Sequence, residues 1–134
     1  MVTIPVTLLT AAACFFLNTW LGARNAAYRR DFKVSVGDGG HEPLLRRMRA
    51  QANFIEHAPF VLILVGGLEL SGANRIVLGL LALTFVLARV AHGVGMDGGA
   101  LHRWRRDGMI TSTIVTLILA IWAIFVAVEA LLSG

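Results

Sequence analysis

Charge is scarce in this chain. Of its 134 residues 15% are charged and 57% hydrophobic, with a mean hydropathy of +0.73. A soluble domain carries about 25% charge, so the composition excludes an ordinary water-exposed globule. Cysteine occurs once, as Cys14, which excludes an intramolecular disulfide and a cysteine metal site. Set mid-helix among apolar residues, Cys14 reads as packing. AAAC at 11–14 lacks the leucine and the preceding positive charge of a lipoprotein cleavage site. Sustained period-two alternation is absent, which argues against a membrane β-barrel. No basic residue precedes the first apolar run, whose first positive charge is Arg24, so the basic n-region of a cleaved signal peptide is missing too.

What the chain has is four apolar blocks: Val2 to Ala23, Phe54 to Leu70, Ile76 to Val90 and Met109 to Leu132. With flanking residues, each reaches the ~20 residues needed to cross a hydrocarbon core of ~30 Å. The second and third are short, so their helices must run on into charged flanks. The expected fold is all-α and integral to a membrane, a single domain over 1–134 forming a four-helix antiparallel bundle.

The basic residues are unevenly placed. Arg24, Arg29, Arg30, Lys33, Arg46, Arg47 and Arg49 separate the first two blocks, and Arg103, Arg105 and Arg106 the last two; only Arg75 lies between the second and third. The positive-inside rule then puts both basic loops in the cytoplasm and both termini outside. The net charge of +4 is thus a topology signal, with some attraction for anionic lipid or an anionic ligand. Nothing calls for nucleic acid.

The links are short. Asp38, Gly39 and Gly40 supply turn chemistry in the first basic loop, and Pro43 suits the first turn of the next helix. In SGAN, 71–74, Gly72 can end a helix. MDGGALHRWRRDG ends on Asp107, expected to cap the fourth helix. Helices this short leave little room for a private cavity. Small residues such as Ala11, Ala12, Ala13, Gly66, Gly67 and Gly79 allow close helix approach and make oligomerisation plausible.

RAQANFIEHAP, residues 49–59, places polar groups at the mouth of an apolar segment. On a helix Arg49, Asn53 and Glu56 share one face at i, i+4, i+7, with His57 on a neighbouring strip and Pro59 able to kink the axis. Glu56 lies about 10 Å beyond Arg49 along that axis, deep enough to require a partner or a wet cavity. Arg89 in the third helix falls at a similar depth, and the two are expected to pair, within or between subunits. His92 and Met96 continue the Arg89 face. Singly, each residue has a plainer reading: Arg49 as a snorkelling anchor, Asn53 as an interhelical hydrogen bond, His92 as packing, HRWRRDG as an interfacial anchor, and a buried Arg–Glu pair as a register tie. Together they ring one pocket of carboxylate, amide and guanidiniums, suited to a small peptide-like anion carrying both carboxylates and an amine.

RAQANFIEHAP resembles the helix-two signature of the MAPEG family, membrane-associated proteins in eicosanoid and glutathione metabolism. YRRDFKVS, 28–35, is similar to the basic end of that family's first helix, and ARVAH, 88–92, to its arginine-bearing third helix. FKVSVGDGG and HRWRRDGM, taken with these, resemble the bacterial inner-membrane branch. The resemblance spans nearly the whole chain and implies a homotrimer with glutathione bound between neighbours near the cytoplasmic face, and a hydrophobic small molecule or lipid as second substrate. By position, Arg49, Asn53 and Glu56 correspond to glutathione-binding residues, Arg29 or Arg30 to a basic contact from helix one, and Arg89 to the helix-three arginine. An arginine near the start of helix four would stabilise the thiolate; Arg103, Arg105 and Arg106 compete, with Arg106 first and Arg105 second.

Two departures stand out. The family's helix-three tyrosines correspond to His92 and Met96 here, and the tyrosine after the helix-two glutamate to His57, so a hydroxyl donor is missing unless His92 or His57 replaces it. The family also contains a non-catalytic member that binds lipid and a partner protein. The expected activity is therefore that of a glutathione-dependent transferase or peroxidase of the inner membrane, with a non-catalytic lipid- or partner-binding protein as the alternative. A small multidrug transporter fits less well, because those usually carry their membrane glutamate in a first helix, which has no acid here.

Overall fold

The computed structural model describes residues 3–98 and 102–133. Val2, where the first apolar block begins, and 99–101 of the second basic loop lie outside the described residues. Four helices account for nearly all the rest: α1 (Pro5–Asp31), α2 (Glu42–Leu70), α3 (Arg75–Gly95) and α4 (Arg103–Ser133). Each is long and apolar enough to cross a membrane, and no strand forms among the described residues. As expected, α2 runs well ahead of its apolar block, with Pro43 in its first turn, and it continues unbroken through Pro59.

The buried residues fall in helical stripes. Cys14, Leu17 and Leu21 line α1, Phe54, Ala58, Val61, Val65 and Leu68 line α2, Leu78, Ala82 and Phe85 line α3, and Val115 and Leu119 line α4. Spacings of three and four put each set on one helix face. The opposite faces are apolar as well, with Phe15, Phe16, Phe60, Ile63, Ile121 and Phe125 exposed. An outward face of that kind is stable against hydrocarbon and unstable against water.

α2 and α3 form the diagonal of the bundle. α1 packs on both, α4 packs on both, and α1 and α4 do not meet. The turn chemistry follows the sequence. Asp38 accepts from the Gly40 amide at 3.2 Å through its side chain and from the His41 amide at 2.9 Å through its carbonyl. Gly72 takes φ +83°, and the Ala73 amide reaches back to the Leu68 carbonyl at 3.0 Å, closing α2. Asn74 then caps α3, its Oδ1 accepting from the amides of Ile76 and Val77.

Polar ties fix the helix registers at both ends. At the end bearing the termini, the Glu69 carboxylate of α2 accepts from the amides of Val6 and Thr7 at 3.1 and 2.8 Å and from Thr7 Oγ1 at 2.7 Å, with Arg75 at 3.6 Å. A carboxylate at a helix N-terminus satisfies free donors and complements the helix dipole. Toward the basic end, Gln51 accepts from Asn25 at 2.8 Å and donates to Asn18 at 3.2 Å, joining α2 to α1. At the basic end, Asp97 accepts from both Arg24 and Arg47, the latter at 3.0 Å.

One terminus differs from expectation. α4 begins at Arg103, so Asp107 lies inside the helix and does not cap it. The first turn closes on the His102 carbonyl, which accepts from the amides of Arg105 and Arg106 at 3.1 and 3.4 Å. The Asp107 side chain instead accepts from Arg106 Nε at 2.9 Å.

Candidate functional site

Over its length α4 packs on α3 far more extensively than on α2. Two glycines allow it. A Cβ at Gly95 would fall on the Arg105 backbone nitrogen, and one at Gly108 on the Ala88 carbonyl oxygen and 2.6 Å from the His92 nitrogen. No side chain fits in either place, so the α3 and α4 backbones touch there and α2 stands off. The resulting cleft has a volume of about 480 Å³, within the range of about 300–1,000 Å³ typical of ligand pockets. The bundle thus holds a cavity within a single chain that its short helices were not expected to leave.

The predicted face of α2 lines this cavity: Arg49, Asn53 and Glu56 project into it. His92 and Met96 arrive from α3, and Arg105 and Arg106 from α4. Ala52, Met109 and Ile110 supply an apolar part of the wall. Three guanidiniums thus face one carboxylate across a half-open cleft.

Arg89 occupies a different place. It is 1% exposed, and its guanidinium donates to Asn53 Oδ1 at 2.5 Å and Ser112 Oγ at 3.3 Å, with Met109 Sδ at 3.7 Å. The expected pair with Glu56 does not form within the subunit. Asn53 lies one turn nearer the basic end, and the planar guanidinium fork reaches it and Ser112 of α4 together. Glu56 remains exposed on the cavity wall, which spares its carboxylate the desolvation that a buried pair requires.

The Arg89 bond also settles how Asn53 is turned. A guanidinium only donates, so Asn53 Oδ1 must accept, and its amide nitrogen is left to donate toward the cavity. His92 is constrained in the same way. Its Nδ1 lies 3.0 Å from the Arg105 carbonyl oxygen; a carbonyl only accepts, so Nδ1 carries the hydrogen. His57 Nδ1 lies 2.8 Å from the Asn53 carbonyl, and this histidine is outside the cavity lining.

Arg29 and Arg30 sit apart from the cleft. Arg29 contacts Ser35 and Met48, at 3.5 and 3.3 Å, and Arg30 lies 3.9 Å from Asp31. Neither lines the cavity. Sequence reasoning missed Asp97 and Glu69, each alone in its stretch and carrying no periodic signal. It also passed over Gln51, which stands in the same short stretch as Arg49 and Asn53 but off their shared face.

Comparison with known proteins adds relatives. The model of the MAPEG family matches residues 7–125. Inner membrane protein YecN of Escherichia coli strain K12 is 28% identical over 93 residues, which is 69% of this chain and 70% of that protein. The protein of the same name from Escherichia coli O6:H1 strain CFT073 matches to the same extent.

Proposed function

This chain belongs to the MAPEG family, and from that premise we propose that it is a glutathione-dependent transferase or peroxidase of the bacterial inner membrane. The observation that carries the reading is the cleft itself, where Arg49, Asn53 and Glu56 of α2 meet Arg105 and Arg106 of α4. Three guanidiniums suit a ligand with two carboxylates. Glu56, exposed on the wall, suits the ligand's one ammonium group. Glutathione presents that set together with a thiol.

The chemistry needed is modest. A free thiol has a pKa near ~8.5, and a neighbouring guanidinium favours the thiolate, which is the nucleophile. Arginine stays charged throughout and so acts as an electrostatic anchor. Arg105 and Arg106, together on α4 at the cleft, are the residues for this role. A hydrophobic electrophile or lipid hydroperoxide would enter sideways from the bilayer. In a homotrimer, the basic end of a neighbouring α1 would bring Arg29 or Arg30 to the cleft that its own subunit does not offer them. The basic end would face the cytoplasm and the termini the periplasm.

A second reading is favoured by one feature. Met96, Met109 and Ile110 line part of the wall, and Met96 stands where the family has a tyrosine. A wall without hydroxyls suits an acyl chain, as in a non-catalytic lipid- or partner-binding protein.

The test is a glutathione titration of detergent-solubilised protein, following the ultraviolet absorbance of the thiolate. Thiolate at neutral pH, lost in Arg105→Ala or Arg106→Ala, is the expected result. Absence of both thiolate and saturable glutathione binding would leave the lipid-binding reading.

A further inference from the structure

We infer that His92 is the general base that takes the proton from the bound thiol, a role that rests on the glutathione reading above. The ring lines the cleft and is itself 6% exposed. Its Nδ1 is committed as donor to the Arg105 carbonyl at 3.0 Å. In the neutral ring the lone pair is therefore on Nε2. That nitrogen has no hydrogen-bond partner among the described residues and is not sealed from solvent, and the ring that carries it lines the cleft. The carbonyl that orients the ring belongs to one of the two residues proposed to hold the thiolate. Base and anchor are thus one hydrogen bond apart.

The other groups around the ring cannot do this work. From α4, Arg105 and Arg106 face it, and from α3, Arg89; guanidiniums do not accept protons. From α1, Arg24 donates to the Gly93 carbonyl at 3.0 Å beside it and is paired with Asp97. From α2, Arg49, Glu56 and His57 lie nearby, and His57 does not line the cleft. Glu56 is the one anionic acceptor among the described lining residues, and it is the group suited to the ligand's ammonium.

The step balances without a co-reactant. The S–H bond breaks, its electron pair stays on sulfur, and the proton forms an N–H bond at Nε2. The products are a thiolate beside the α4 guanidiniums and an imidazolium still tied to Arg105 by Nδ1–H. When the thiolate then forms an S–C bond with an electrophile, the leaving group departs with its electron pair; the imidazolium gives its proton to that group where it is basic, and to water where it is chloride. A hydroxyl donor at this position would do the opposite, since it gives a hydrogen bond to the thiolate and takes no proton from the thiol.

A proton count tests this. Detergent-solubilised wild-type protein is mixed with glutathione in weak buffer near neutral pH. Thiolate absorbance and a pH indicator are read together, with binding measured separately by equilibrium dialysis. If His92 is the base, thiolate appears without equivalent proton release, because the proton stays on the protein. His92→Asn keeps a donor at the place of Nδ1 for the Arg105 carbonyl. It should still bind glutathione, release one proton for each thiolate formed, and conjugate chlorodinitrobenzene about 10²-fold more slowly. One proton released per thiolate in the wild type overturns the inference, and so does an unchanged rate in His92→Asn. Should that variant not fold, the wild-type count decides alone. If the wild type binds no glutathione, the functional reading itself fails, which dialysis distinguishes from failure of the base.

Discussion

Arg89 donates to Asn53 at 2.5 Å across α2 and α3, and it makes no bond to Glu56. A buried cation is therefore held by a neutral amide and a hydroxyl, while the carboxylate one turn further along α2 stays on the cleft wall. Each side chain is thereby left with one job. Arg89 orients Asn53, Asn53 presents N–H donors, and Glu56 presents the only carboxylate among the described residues of the cleft.

Replacing Asn53 separates these roles. Asn53→Asp keeps an acceptor for Arg89 and removes the donors, so stability should hold while glutathione binding weakens about tenfold or more. Asn53→Leu should lose both. A double-mutant cycle with Arg89→Met, read by thermal denaturation in detergent, should give a coupling of about 1 kcal/mol, as for other interhelical hydrogen bonds in membranes. Zero coupling would mean that the bond contributes nothing to the fold.

The glycine contacts of α3 and α4 give a second prediction. Gly95→Ala and Gly108→Ala each drive a methyl group into backbone, which should destabilise by about 1–3 kcal/mol and weaken glutathione binding by moving Arg105. Gly67→Ala meets no atom within 4 Å inside the subunit. It should be neutral or stabilising by up to about 1 kcal/mol, since alanine is the better helix former. Equal melting temperatures for all three variants would contradict the close packing.

Glu69 predicts an effect remote from the cleft. Glu69→Gln places amide hydrogens against some of the donors of Val6 and Thr7, which then lose their acceptor. The expected loss is about 1–3 kcal/mol in stability, with glutathione binding to the folded protein unchanged. A binding defect without a stability defect would show that the two ends of the bundle communicate.

Asp97 joins two guanidiniums from different helices, so Asp97→Asn leaves Arg24 and Arg47 facing each other without a counter-charge. These groups are partly exposed, and the loss should be about 1 kcal/mol. Added salt screens repulsion, so the variant should regain part of its melting temperature in high salt, whereas the wild type should not rise with it.

Hydropathy and period are local properties, and through them the sequence by itself determined four membrane-length helices, their short links, and the shared face of Arg49, Asn53 and Glu56. Every residue needed for those readings stands within one or two helical turns of the next. Pairing is not local. Depth along the helices alone did not distinguish Asn53 from Glu56 as the partner of Arg89, and the packed bundle seats it on Asn53, with Ser112 of α4 as a second acceptor. The start of α4 at Arg103 was decided likewise, by backbone contact at Gly95 and closure on the His102 carbonyl. The tautomer of His92 depended on a carbonyl thirteen residues away. Composition states that polar groups are present, but only tertiary structure decides which donor meets which acceptor, because hydrogen bonds are short and directional while sequence separation is neither.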